Sequence, residues 1–129
     1  MVIYLDKLSG KSEHLLDIVR SVMPEEVIEI CKTLTCLSEA LKRRADKQPI
    51  LLIVPSNNLE LKKLAILEDM LFRTMLILVL PTEDEAGTSL AHSLRPRFLA
   101  YQDSDLNRVG LVIEKIHRMH PCTVGNQAC

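Results

Sequence analysis

Four polar residues stand just after short apolar runs, where the end of a strand would present them: Asp6 after VIYL, Ser56 after ILLIV and Pro55, Thr82 after MLILVL and Pro81, and Gln102 after FLAY. A carboxylate, two hydroxyls and an amide gathered at such ends would suit a cation, an anion or a small polar ligand. An enzyme needs more, and none of the four histidines falls in these loops to complete a convergent acid, base and nucleophile. Taken singly, Asp6 reads as a solvated loop aspartate, because a magnesium site normally adds further carboxylates or a phosphate ligand. Ser56 has no neighbouring base to make it a nucleophile and reads as a helix N-cap.

Other groupings are weaker. The stretch SGKS at 9–12 is like the end of a phosphate-binding loop, but Leu5 stands where its first glycine belongs. His117, His120 and Cys122 in HRMHPC make at most an incomplete metal site, so no metal is expected. The cations Lys42, Arg43, Arg44 and Lys47 suit the negative end of a helix. Cys31 and Cys36 could form a redox pair across a strand end, although a buried thiol beside a cap-adjacent one is the more common reading. With Cys122 and Cys129 they lack the tight spacing of a zinc site and are expected to be reduced thiols.

Composition removes several classes of function. Sixteen basic and 17 acidic residues leave a formal charge of -1, too little to attract nucleic acid or an anionic membrane. Aromatic residues are 3% of the chain, with no Trp, so platforms for stacking bases are absent. No apolar run approaches the roughly 20 residues that cross a bilayer, and MVIYLDKLSG does not read as a secretory leader. The expectation is a cytoplasmic protein without nucleic-acid or membrane partners and without a cofactor.

The elements that must position these residues are legible from periodicity. Apolar runs at 2–5, 27–31, 50–54, 75–80 and 97–101 predict strands. Between and after them apolar residues return at helical spacing: Leu15, Ile18, Val19 and Val22; Leu34, Leu37 and Leu41; Leu61, Leu64, Leu67 and Leu71; Ala86, Leu90 and Leu94; Leu106, Val109, Ile113 and Ile116. Thr35, Ser56 and Ser104 are candidate N-caps, and Pro24, Pro49 and Pro96 precede strands. The third and fourth runs are apolar at every position, as in central parallel strands covered on both faces. A strict βα repeat with short crossovers predicts an α/β, flavodoxin-like (βα)5 three-layer sandwich with a five-stranded parallel sheet of order 2-1-3-4-5. Residues 1–119 form the predicted domain, and 120–129 form a poorly ordered tail.

This succession, and above all SLAHSLRPRFLAYQDSDLNRVGLVIEKI near its end, resembles the response-regulator receiver (CheY-like) domains over nearly the whole chain. The resemblance implies an acidic pair after the first strand to hold magnesium, a phosphoacceptor aspartate ending the third, a hydroxyl ending the fourth and a lysine ending the fifth. Here those places hold Asp6 with Lys7, Val54 with Pro55 and Ser56, Thr82 one residue displaced, and Gln102 with Asp103. A carboxylate accepts a phosphoryl group only where a divalent cation neutralises the incoming charge. The implied protein is therefore a pseudo-receiver of a two-component type of system, not an enzyme, acting by contact with a protein partner or as a homodimer. In receivers the usual contact surface combines the fourth helix, fifth strand and fifth helix, which points to Ala91, Leu94, Leu99, Tyr101, Asn107 and Gly110. The alternative is a regulatory domain that binds a small molecule or anion, or an unrecognised enzyme, using the crevice at the strand carboxyl ends.

Overall fold

The computed structural model describes residues 1–5, 10–23, 28–43, 49–81, 83–102 and 106–119. Five parallel strands, β1 (Val2–Leu5), β2 (Glu29–Cys31), β3 (Ile50–Val54), β4 (Met75–Leu80) and β5 (Phe98–Tyr101), form one sheet of order β2-β1-β3-β4-β5. This is the predicted flavodoxin-like arrangement. Its registers run Tyr4 beside Cys31 and Ile53, Ile53 beside Leu78, and Leu80 beside Tyr101.

Strand alternation divides the core in two. Ile3, Leu5, Leu52, Val54, Ile77, Val79 and Ala100 face α1 (Gly10–Val22) and α6 (Asn107–Met119), meeting Leu15, Val19, Val109 and Ile113. Val2, Tyr4, Leu51, Ile53, Leu76, Leu78 and Leu80 face α2 (Leu34–Arg43), α3 (Asn58–Leu64), α4 (Glu68–Leu71) and α5 (Glu85–Ser93). Every residue of β3 and β4 is buried, which accounts for the unbroken apolar runs ILLIV and MLILVL.

Two local departures qualify the periodicity. The helix predicted around Leu61 to Leu71 is divided by a 3-10 turn at Ala65–Leu67, and Ile66 in that turn is 81% exposed. The backbone of Arg95, after α5, takes φ 54, and its guanidinium stacks 5.2 Å from the Phe72 ring centre. A positive φ is unusual for a residue with a Cβ and turns the chain toward Pro96 and β5.

Among the helix contacts the α1–α6 pair is the closest fitted. A Cβ on buried Gly110 would lie 2.5 Å from Cγ2 of Ile18, so only glycine lets the two helices approach this far. Gly110→Ala gains about 1 kcal/mol of helix propensity but overpacks this contact by about 1–3 kcal/mol. A net loss of stability is expected in chemical denaturation. In an Ile18→Ala background the clash disappears, and the same Gly110→Ala change is expected to stabilise.

Candidate functional site at the strand carboxyl ends

The carboxyl ends of β1, β3, β4 and β5 open on one edge of the sheet, where the predicted site belongs. Pro55 follows β3 and is buried, and Ser56 is half-buried. The cap of α3 is Asn57, not Ser56: Asn57 takes an extended backbone, φ -161 and ψ 176, and its Oδ1 accepts from Glu60 N at 3.0 Å. Ser56 instead lies beside the cap, with Asn57 Nδ2 donating to its Oγ at 3.4 Å. Helix α2 shows a similar shift, since Thr33 Oγ1, rather than Thr35, accepts from Cys36 N at 3.1 Å. Asp6, Thr82, Asp103 and Ser104 lie outside the described residues.

Glu60, the first carboxylate after β3, is engaged in holding α3 to the sheet. Its Oε2 accepts from the buried Tyr4 hydroxyl at 3.4 Å, and its Oε1 lies 3.8 Å from Lys63 Nζ. Across the crevice, Asp84 caps α5 by accepting from Gly87 N at 2.6 Å through Oδ1, and the same oxygen accepts from Asn58 Nδ2 at 3.4 Å. A Cβ on Gly87 would lie 2.8 Å from Asn58 Oδ1, so the glycine lets α5 close on α3. At the last strand the Gln102 backbone N–H continues the ladder to Leu80 O at 2.8 Å, while the Tyr101 hydroxyl lies 3.1 Å from Thr88 Oγ1. The structure thus brings Ser56, Asn58, Asp84 and Gln102 to one edge. The Asn58 and Asp84 contact escaped the sequence reading, although an aspartate just ahead of a helix is a capping signal.

The residues of the predicted contact face differ in exposure. Ala91 and Leu94 are buried in the core beneath α5. Gly110 is buried against Ile18, and with Asn107 it lines the groove between α1 and α6. Leu99 and Tyr101 are half-buried on the side of β5 that α5 covers. Arg97, just before β5, is exposed, and along α6 Arg108, Val112 and Lys115, at helical spacing, are exposed or half-exposed.

Of the basic group, Arg43 pairs with Glu29 on the surface, Lys42 is exposed, and Arg44 and Lys47 lie outside the described residues, as do His120, Cys122 and Cys129. No three His, Cys, Asp or Glu side chains among the described residues are placed to hold a metal. No described helix is long and apolar enough to cross a membrane. A cleft lined by Leu41, Lys42, Pro49, Met70, Arg73 and Thr74 lies at the opposite edge, where β3 and β4 begin. No family model, curated protein or solved structure matches the chain.

Cys31 ends β2 in the core, and Cys36 packs against the same core cluster. Burial, reinforced by Cys36, pushes the Cys31 thiol from 9.0 up to about 12. A raised pKa means that the folded state disfavours the thiolate. The stability so contributed is complete below pH 9.0 and is lost as pH rises toward about 12. Cys31→Ala is expected to flatten this alkaline decline in thermal melting. Loss of the α5 cap through Asp84→Ala is expected to cost about 1 kcal/mol, with Asp84→Asn retaining most of it, read from denaturant midpoints.

Proposed function

We propose that this chain is a receiver-like signalling domain of the cytoplasm that has lost phosphotransfer and works by contact with protein. The observation that supports this most is the end of β3, where Val54, buried Pro55 and half-buried Ser56 stand in place of a phosphoacceptor carboxylate. The next acid along the chain, Glu60, is held by Tyr4 and Lys63. A scaffold with the architecture of a phosphorelay domain and no acceptor at that strand end keeps its surfaces as its means of action.

The contact surface we assign is the β5 edge with the adjacent side of α6, carrying Arg97, Arg108, Val112 and Lys115. Strand β5 pairs with β4 alone among the described strands, so its outer edge carries main-chain groups suited to a partner. The cations favour an acidic counterpart.

Incubation with acetyl phosphate and magnesium, followed by intact mass, is expected to give no phosphoryl adduct, and beryllofluoride with magnesium is expected to leave the melting temperature unchanged. An adduct, or a magnesium-dependent rise in Tm, overturns the reading, since a ligand of the folded state alone stabilises it. If the partner is a second copy, light scattering will show a dimer that Arg108→Glu with Lys115→Glu weakens. A monomer at all concentrations assigns the surface to a different protein.

A further inference from the structure

Strand β2 lies at the opposite edge of the sheet from β5 and pairs with β1 alone among the described strands. Its Glu29 N–H bonds inward to Met1 O at 3.0 Å, so by alternation the N–H and C=O of Ile30 point away from β1. Beside this edge a cleft of about 520 Å³ is lined by Glu13, Leu16, Asp17 and Arg20 of α1 and by Ile30 and Lys32. The four α1 residues fall at i, i+3, i+4 and i+7, a single helical stripe. Glu13, Asp17, Arg20 and Lys32 are exposed, and none of them is held in an ion pair among the described residues. We propose that this edge is a self-association surface, on which a second copy of the chain adds its own β2 antiparallel, centred on Ile30, to continue the sheet across both molecules.

A two-fold axis through Ile30 sets that residue opposite its own copy, where the two exchange both outward main-chain bonds. The Ile30 side chain is half-buried against the first core cluster, on the α1 side of the sheet, so the paired isoleucines cover each other there. The same axis sets the two α1 helices antiparallel. Glu13, in the first turn of α1, then comes level with Arg20, in the last turn of the same helix in the second copy, and the pair repeats at the other end. Two acids and two bases line each cleft, so the joined surfaces are balanced in charge. An unrelated extended peptide would gain the main-chain bonds without these reciprocal charge pairs. The strand is only 3 residues long, so the dimer is weak and depends on concentration. It leaves the β5 edge open to a different protein.

Analytical ultracentrifugation of the full chain over a concentration series is expected to show a monomer–dimer equilibrium. Arg20→Glu sets two carboxylates level at each end of the helix pair and is expected to raise the dimer Kd roughly tenfold. Glu13→Arg combined with Arg20→Glu exchanges the charges of both pairs and is expected to restore the wild-type Kd. Each change opposes the α1 dipole and lowers the melting temperature, the double variant more than the single, so restored dimerisation in the double variant cannot come from a more stable fold. Arg108→Glu with Lys115→Glu, on α6, should leave this dimer unchanged. The assignment is overturned by a monomer at every concentration, or by a dimer that Arg20→Glu does not weaken or the exchange does not restore. A dimer dissolved by the α6 variant instead overturns it as well, and places the contact at the β5 side.

Discussion

Strands β3 and β4 are buried on both faces, at every residue, and the rest of the molecule follows from that. A strand with two apolar faces needs cover from above and below, and parallel neighbours cannot be joined by a tight turn. Each connection must therefore cross one face as a helix and bring the chain back to the same edge. The result places α1 and α6 on one side and α2 to α5 on the other, with the strand carboxyl ends together. Tyr4 shows how narrow the tolerance is: its ring belongs to the second core cluster, and its hydroxyl reaches out of it to Glu60.

Close helix packing rests on two glycines. Gly110 admits Ile18 between α6 and α1, and Gly87 admits Asn58 and Asp84 between α5 and α3. The second contact shapes the crevice where chemistry would be sought. Asn57, Glu60 and Asp84 are all engaged there, in a cap, a tie to the sheet and a second cap with an amide attached. Polar groups at this edge serve the geometry of the helices that begin there.

Much of the fold was legible in the residues. Short apolar runs located five strands and 3.6-residue periodicity the intervening helices, and the all-apolar third and fourth runs declared a sheet covered on both sides. The strand-end positions of Pro55, Ser56 and Gln102 followed from that order. Capping was legible only to within a residue or two: Thr33 and Asn57 hold the places expected of Thr35 and Ser56, because neighbouring polar residues offer similar oxygens and backbone geometry selects among them. Ala91, Leu94 and Gly110 of the expected contact face are buried, for a related reason. Apolar spacing shows that a residue faces a neighbour, but only packing decides whether that neighbour is the sheet, another helix or a partner. The sequence by itself determined the strands, the helical segments and the lack of a carboxylate at the end of β3, since these depend on residue type and local period. The tertiary structure alone decided that Asn58 meets Asp84 and that Gly110 meets Ile18, because each contact is set by how one helix lies against another.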